Sequence, residues 1–469
     1  MKQILLATAL LASTVSVAQG VESRLKQAWE RFEGDSQLRA GIASIYVADA
    51  QTGAVVFERN SRIGLAPASS QKVITAASAY SLLGTNFRYV TELACDSALY
   101  AGSSNGDLYL IGNGDPTLGS WRWTSTRPDS VLKRFVAAAV KRIKGTYRDL
   151  VLPQRNWNTE VIPPGWIWED LGQYYGAGAQ VLNWHENQFD LKLRSGTHIG
   201  DSVVAIATVP KLADSIAVLV RSAAPGTGDQ TYFYPANNGL PLTLRGTIPI
   251  NQPGFIVSGS LPDPQLSLAA AFTQALREAG ARSKGGIRRD SKSFKVTVLE
   301  RYQSPPLDSI VFWFMRKSIN LFGEALIKTI AAGSDTTQEV NGIKLEAAET
   351  SKGASRIRGF WRQNGIDPAE LRLRDGSGLS PENRVTTRAQ VQVLQYARKQ
   401  SWFPGFYLAL PEYNGMKLKS GTIGGVKAYC GYHTSKAGVT YTVSFLVNNY
   451  NGSEREIVQK MYAVLNELK

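Results

Sequence analysis

Cysteine and histidine are scarce in this sequence: its 469 residues include two cysteines and three histidines. A structural zinc site needs four clustered ligands of these types, so such a site is excluded. None of the histidines lies in a setting typical of a Ser-His-Asp triad. Cys95 and Cys430 are far apart in the chain, and the sequence leaves open whether they form a disulfide or remain free thiols. We expect neither a metal nor any other cofactor.

Long hydrophobic runs are also missing, with one short exception at the N-terminus. Lys2 is followed by an apolar run that ends at Ala12, which is too short to span a bilayer. Ser16 and Ala18 then place small side chains just before a cleavage site at Gln19. This pattern predicts that residues 1–18 are a signal peptide, and no cysteine follows the cut to carry a lipid anchor. We therefore expect an exported, periplasmic protein.

Acidic residues are fewer than basic ones, which gives a net charge of +14. The basic residues are dispersed, without a dense run or an aromatic-basic module, and this argues against a nucleic-acid partner. A basic surface suits an anionic polymer or peripheral association with a membrane face. General solubility explains the charge equally well.

Strand patterns occur at both ends of the chain, with helical patterns between them. Residues 41–58 form two alternating segments around a turn at Gln51-Thr52-Gly53. Two further strands are predicted at 426–434 and 439–448, followed by a helix at 453–468. Distant strands that share helices in this way are typical of one α+β domain.

The middle of the chain has a different character. Residues 91–301 consist mostly of short alternating runs separated by turn signals, which is typical of β-rich structure. We predict that this stretch is an insert of one or two accessory domains. The interrupted domain would then comprise residues 19–90 and 302–469.

The helix predicted after residue 67 begins with two serines and a lysine in an otherwise apolar segment. Ser69 and Lys72 are three residues apart, so their side chains lie on one face of a helix, whereas Ser70 lies on another. Serine needs a neighbouring base to act as a nucleophile, and a lysine in apolar surroundings loses its proton more readily. The pair is therefore a candidate nucleophile and base. An N-cap serine with a solvated lysine would give the same pattern.

Two further motifs lie much later in the chain. Ser318 and Asn320 stand at a break in a long helical stretch, where a hydroxyl can relay a proton and an amide can hold a substrate carbonyl. Residues 419–422 read Lys-Ser-Gly-Thr just before a predicted strand. A lysine there can anchor a carboxylate, a hydroxyl can orient it, and a glycine lets a ligand backbone approach. Each motif alone is common in helix caps and turns.

The three motifs occur in the order S-x-x-K, S-x-N and K-S-G, which resembles the signature of the penicillin-recognising serine acyltransferases. Further segments narrow the resemblance to the class C penicillin-binding proteins, which are D-alanyl-D-alanine carboxypeptidases and endopeptidases. Those segments are PASSQKVITAAS at 67–78, GNGDPTL at 112–118, NLFGEALIK at 320–328 and DGSGLSPEN at 375–383. The resemblance implies a β-lactamase/transpeptidase-like catalytic domain, in which helices flank an antiparallel sheet, and a long insert between the first two motifs.

The resemblance also implies a role for each catalytic residue. Ser69 attacks the carbonyl of the penultimate D-alanine and forms an acyl-enzyme, with Lys72 as its general base. Ser318 and Lys419 complete the proton network and bind the terminal carboxylate, and Asn320 contacts the amide of the acyl peptide. The backbone N–H of Ser69 contributes to an oxyanion hole, where the negative charge of the transition state develops.

Substrate-binding residues follow from the same resemblance. Ser420, Gly421 and Thr422 line the substrate site, and the backbone N–H of Thr422 completes the oxyanion hole. The segment PPGWIWEDLGQYYGAG at 163–178 resembles the part of the insert that recognises the diamino acid of the stem peptide. It points to Asp170 for the side-chain amine and Tyr175 for an aromatic contact. The implied partners are peptidoglycan stem peptides, and β-lactams as covalent inhibitors.

Three positions depart from the family pattern. Ser420 replaces the threonine of K-T-G and keeps its hydroxyl. Pro381 stands where many members of the family carry arginine, and Gly424 where some carry glutamine. These changes concern the recognised end of the substrate more than the chemistry.

Two other functions compete with this interpretation. A class A β-lactamase places a deacylating glutamate after the second motif, whereas Glu169 precedes Ser318. A non-catalytic cell-wall binding protein with the same fold would not need all three motifs intact. A β-lactamase predicts rapid turnover of penicillin, and a carboxypeptidase predicts a long-lived adduct on Ser69.

Overall fold

The computed structural model describes residues 20–154, 157, 160–212, 215–237, 239–290, 294–333 and 348–469. The predicted signal peptide lies outside these residues. The chain divides into two compact units: Met1–Ser81, Val311–Ser318 and Ala354–Lys469 form the first, and Leu82–Ile310 and Ile319–Gly353 form the second. Their limits do not coincide with the domain boundaries predicted above, which stay a prediction.

The first unit is built on a six-stranded antiparallel sheet, here called the central sheet. Its strands in spatial order are Glu412–Tyr413, Met416–Ile423, Val426–Thr434, Thr440–Asn448, Ile42–Asp49 and Val55–Arg59. Strands from both ends of the chain therefore lie in one sheet, and the predicted α+β fold is confirmed. The two strands predicted around the turn at 51–53 are present and pair antiparallel.

Helices cover both faces of the central sheet. The helices of this unit are 20–33, Lys72–Leu83, Thr387–Arg398, Phe403–Ala409 and Glu454–Asn466. Phe445 packs in a hydrophobic core with Trp29 and Ile457, which come from the first and last of these helices. On the opposite face, the preceding residue Ser444 donates from its hydroxyl to Gln390 Oε1 at 2.6 Å. Successive residues of a strand point to opposite faces, so the sheet binds different helices on its two sides.

The helix Lys72–Leu83 belongs to the first unit up to Ser81. All its residues from Lys72 to Tyr80 are buried, as expected for a helix that is apolar nearly all round. The indole N–H of Trp361 donates to Ser78 Oγ at 2.9 Å, and the ring of Trp402 stacks on Tyr80 with 5.0 Å between centroids. These contacts hold the second half of the helix against Trp361 and Trp402.

The second unit contains a mixed five-stranded sheet. Its strands in spatial order are Ile287–Asp290, Leu150–Pro153, Leu108–Ile111, Val90–Cys95 and Thr297–Gln303. The last two are the strands by which the chain enters and leaves the predicted insert, and they pair antiparallel. Two three-stranded sheets follow: Gln230–Tyr234, Thr243–Pro249 and Ala217–Ala223, and then Phe255–Ser260, Gln188–Arg194 and Val204–Val209.

The remaining elements are mostly helical. The helices Ser97–Tyr100, Pro128–Ala139, Pro264–Glu278 and Asn320–Ala332 belong to the second unit, and Leu307–Arg316 and Thr350–Gln363 contribute residues to both units. Short strand pairs are formed by Thr146–Tyr147 with Arg282–Ser283 and by Leu371–Arg372 with Arg384–Val385. Along the described residues, no helix combines the length and the apolar character that crossing a membrane requires.

Candidate active site

Ser69 and Lys72 meet at the start of the buried helix of the first unit. Ser69 lies in a short 3-10 turn, Ala68–Gln71, and the α-helix begins at Lys72. The ammonium nitrogen of Lys72 donates to Ser69 Oγ at 2.8 Å. Lys72 has no exposed surface, so the alternative of a solvated lysine is wrong. A hydroxyl beside a buried amine is the arrangement that activates a serine nucleophile.

Ser70 is held in a different environment from its neighbour. Its hydroxyl donates to the carbonyl of Pro67 at 2.7 Å and accepts from Gln390 Nε2 at 2.9 Å. Ser70 is fully buried, whereas Ser69 is partly exposed. Of the two adjacent serines, Ser69 is therefore the one that solvent and a substrate can reach.

The segment DGSGLSPEN at 375–383 holds the Ser69 turn in place. The carbonyls of Ser377 and Gly376 accept hydrogen bonds from Lys72 Nζ at 2.8 Å and from Thr75 Oγ1 at 2.7 Å. Gly378 has a φ of 87°, and a Cβ at this position would overlap the carbonyl oxygen of Ala68. Glycine is required here for both reasons. Sequence reasoning assigned these residues no role, although the two glycines of the segment were a signal of close packing.

The third motif lies inside a strand of the central sheet rather than before one. Lys419 to Thr422 belong to Met416–Ile423, which pairs antiparallel with Val426–Thr434. A Cβ on Gly421 would come within 2.6–2.8 Å of backbone atoms of Pro67, Ser69 and Ser70. The glycine therefore admits the Ser69 turn, whereas the sequence had suggested that it admits a ligand.

Lys419 is a buried lysine of this strand. Its side chain is 1% exposed, and Nζ donates to the carbonyl of Ser420 at 2.8 Å. Burial lowers the pKa of Lys419 from 10.5 to about 7, the Cys430 thiol opposes this shift, and the positive charge of Lys427 adds to it. Lys419 can therefore exist in both protonation states near neutral pH.

Thr422 and Ser420 lie on the strand's other face. Thr422 is exposed; its hydroxyl donates to Glu454 Oε1 at 3.2 Å and accepts from Lys427 Nζ at 2.8 Å. Residues two apart on a strand share a face, so the Ser420 hydroxyl points in the same direction. Sequence reasoning did not identify Lys427 or Glu454.

The second motif is divided between the two units. Ser318 belongs to the first unit and follows the helix Leu307–Arg316 with a φ of 57°, in the left-handed region. Asn320 belongs to the second unit and begins the helix Asn320–Ala332. The predicted break between two helices is therefore present at Ser318.

Asn320, Tyr175 and Asp170 lie together in the second unit. Asn320 Nδ2 donates to the carbonyl of Tyr175 at 2.8 Å, and the Tyr175 hydroxyl donates to Asp170 Oδ1 at 3.2 Å. Burial raises the pKa of Asp170 and that of Tyr175. A Cβ on Gly176 would overlap the carbonyl of Asp170, so a tight turn fixes the spacing of Asp170 and Tyr175.

Comparison with known proteins identifies the family of the chain. Residues 25–412 match the D-Ala-D-Ala carboxypeptidase 3 (S13) family of peptidases. The chain belongs to this family. The resemblance to D-alanyl-D-alanine carboxypeptidases of the penicillin-binding type, expected from the motifs, is thus confirmed, and with it the prediction of a serine peptidase.

Individual relatives cover most of the S13 chain. It is 27% identical to a D-alanyl-D-alanine carboxypeptidase of Actinomadura sp. (strain R39), over 98% of this chain and 88% of the relative. It is 23% identical to the carboxypeptidase DacB of Haemophilus influenzae, over 86% and 84%. A crystal structure of penicillin binding protein 4 (dacB) from H. influenzae has the same fold, with a TM-score of 0.77 at 22% identity over 92% of this chain and 97% of that one.

The structure also shows the state of the two cysteines and of the possible metal ligands in the S13 chain. Cys95 and Cys430 are both buried and both free thiols, which settles the question that the sequence left open. In the part of the chain that the structure describes, no cluster of three or more His, Cys, Asp or Glu side chains is arranged to hold a metal ion.

Proposed function

We propose that the protein removes the terminal D-alanine from peptidoglycan stem peptides through an acyl-enzyme on Ser69. The observation that carries this proposal is the 2.8 Å contact between Ser69 Oγ and the amine of Lys72, a lysine with no exposed surface. Penicillins would acylate the same hydroxyl. Cleavage of peptide crosslinks would use the same acylation step with a different leaving amine.

Acylation begins with proton transfer between these two residues. In its neutral form the Lys72 amine takes the proton of Ser69 Oγ, which attacks the carbonyl carbon of the penultimate D-alanine. The oxyanion that forms is held by the backbone N–H groups of Ser69 and Thr422. The proton that Lys72 took passes through Ser318, with Lys419, to the nitrogen of the terminal D-alanine, and the C–N bond breaks. Water then attacks the ester, and the shortened peptide is released.

The strand Met416–Ile423 has an edge suited to binding a peptide. Glu412–Tyr413 pairs only with Lys417 and Met416, so from Lys419 onwards no described strand covers this edge. An extended peptide can add to such an edge through its backbone hydrogen bonds. This supports a substrate that lies along Lys419 to Thr422, beside the Ser69 turn that packs on Gly421.

Recognition of the stem peptide is assigned to Asp170 and Tyr175. A carboxylate with a hydroxyl beside it suits the side-chain amine of a diamino acid. The hydrogen bond from Asn320 to the Tyr175 carbonyl ties this pair to the residue proposed to hold the acyl peptide's amide. The leader pattern in residues 1–18 and the peptidoglycan substrate together support a periplasmic location.

Peptide hydrolysis tests the proposed reaction. The purified protein is incubated with linear and crosslinked muropeptides, and products are followed by mass spectrometry. We expect loss of the terminal D-alanine in the wild type, and no such loss in Ser69→Ala or Lys72→Met. A wild type that leaves every muropeptide intact while remaining folded would refute the proposal. Rapid turnover of penicillin would instead indicate the competing β-lactamase function.

A further inference from the structure

The side chains of Thr422, Lys427 and Glu454 form a cluster on the first unit, and the reaction described above uses none of these side chains. Lys427 lies opposite Thr422 in the neighbouring strand. Its ammonium donates to Thr422 Oγ1 at 2.8 Å and to Glu454 Oε1 at 2.6 Å. Lys427 is 7% exposed, whereas the Glu454 side chain is 48% exposed. A charged group is thus held rigidly beside a hydroxyl that faces solvent.

The two lysines near the third motif lie on opposite faces of the sheet. Lys419 and Gly421 are two residues apart and therefore share the face that meets the Ser69 turn. Ser420 and Thr422 share the other face with Lys427, which also lies over the ring of Tyr429, at 5.5 Å from Nζ to the ring centroid. Lys427, rather than Lys419, therefore contacts a hydroxyl of the third motif directly.

The strand that carries Ser420 and Thr422 has the open edge along which the proposed substrate would lie, and Lys427 approaches Thr422 from the neighbouring strand on the other side. Two hydroxyls and a lysine are the donors that a carboxylate needs, since its two oxygens accept several hydrogen bonds. In this structure Glu454 accepts a hydrogen bond from the Thr422 hydroxyl and forms an ion pair with Lys427.

We propose that Lys427, with the hydroxyls of Ser420 and Thr422, binds the terminal carboxylate of the peptide substrate, and that Glu454 competes with that carboxylate. This inference rests on the proposed peptidase function. When substrate binds, the Thr422 hydroxyl turns from Glu454 to the substrate while it still accepts from Lys427. Lys427 is a specificity-determining residue in this scheme, and Lys419 remains in the proton network.

The test compares one N-acylated peptide that ends in D-Ala-D-Ala with its C-terminal amide. For Lys427→Met we expect kcat/KM on the acid to fall about ten- to a hundredfold, the usual cost of losing a hydrogen bond to a charged group. Turnover of the amide should stay within about twofold, because the amide has no charge to lose. Lys427→Arg should restore most of the activity on the acid, and Glu454→Gln should raise it several-fold.

Lys460→Met is the matched control. Lys460 also forms an ion pair, at 2.6 Å from Asp35, and its loss changes the net charge equally. We expect this variant to retain the wild-type ratio of acid to amide turnover. Equal losses on both peptides in Lys427→Met, or the same change of ratio in Lys460→Met, would overturn the inference. If the wild type cleaves neither peptide, the proposed peptidase function itself fails.

Discussion

Replacing Lys419 by methionine is expected to stabilise the fold while it stops peptide turnover. The pKa of Lys419 is 10.5 in an exposed setting and about 7 in the folded protein. The unfolded chain therefore holds this proton more tightly than the native state does. Below pH 7 the buried charge of Lys419 lowers the free energy of unfolding by the full amount that the difference between the two pKa values sets. This penalty disappears as the pH rises from about 7 to 10.5.

The size of the effect follows from the two pKa values. At about 1.4 kcal/mol per pH unit, the penalty is about 5 kcal/mol at pH 6, about 4 at pH 7.5 and about 2 at pH 9. Methionine has a similar length and no charge, but it loses the hydrogen bond from Nζ to the Ser420 carbonyl, worth about 1 kcal/mol. We expect Lys419→Met to raise the free energy of unfolding by about 4 kcal/mol at pH 6 and by about 1 at pH 9.

Urea unfolding of the two proteins at several pH values measures this difference. Lys460→Met serves as the control, because Lys460 lies partly in solvent in an ion pair with Asp35. Exposed pairs of this kind contribute only about 0–1 kcal/mol. A gain in stability that does not shrink between pH 6 and pH 9 would refute the reasoning, and so would a net loss at pH 6.

Three other substitutions probe the surroundings of the site. Gly378→Ala should slow acylation by penicillin and lower the free energy of unfolding by about 1–3 kcal/mol, because it strains the backbone and displaces the Ser69 turn. Gly365→Ala is the control, because Gly365 has a similar φ of 82° but open space around it. Ser70→Ala should cost about 1–3 kcal/mol in urea unfolding, since it leaves Gln390 Nε2 without its partner, but should keep penicillin labelling. Asp170→Asn should abolish the preference for stem peptides with a free side-chain amine over the same peptides acetylated there, as measured by the ratio of kcat/KM values. Unchanged acylation in Gly378→Ala, lost labelling in Ser70→Ala or an unchanged ratio in Asp170→Asn would contradict these expectations.

Local spacing explains why part of the site could be predicted from the sequence. Ser69 and Lys72 lie within one turn of a helical segment, so their contact depends on three intervening residues and regular geometry. Strand alternation and turn signals likewise predicted four adjacent strands of the central sheet, from Val426–Thr434 to Val55–Arg59 in spatial order. Such features are set by neighbouring residues and need no knowledge of the distant chain.

Contacts between distant segments could not be predicted in the same way. The backbone carbonyl of Ser377, which accepts a hydrogen bond from Lys72, is 305 positions away from it. Every residue has a backbone carbonyl, so the residue type at this position gives no signal of the contact. The contact of Lys427 with Glu454 depends on where the terminal helix meets the sheet. For Gly421 the type of constraint was correct, but the neighbour was the Ser69 turn, which only the packed structure identifies.

The central claim is that Ser69 is the nucleophile, and mass spectrometry of a penicillin adduct tests it most directly. The protein is treated with a penicillin, digested and mapped, in parallel with Ser69→Ala and Ser70→Ala. The account predicts one long-lived penicilloyl group on Ser69 in the wild type and in Ser70→Ala, and none in Ser69→Ala. An adduct that persists in Ser69→Ala, or a folded wild type that forms no adduct, would contradict it.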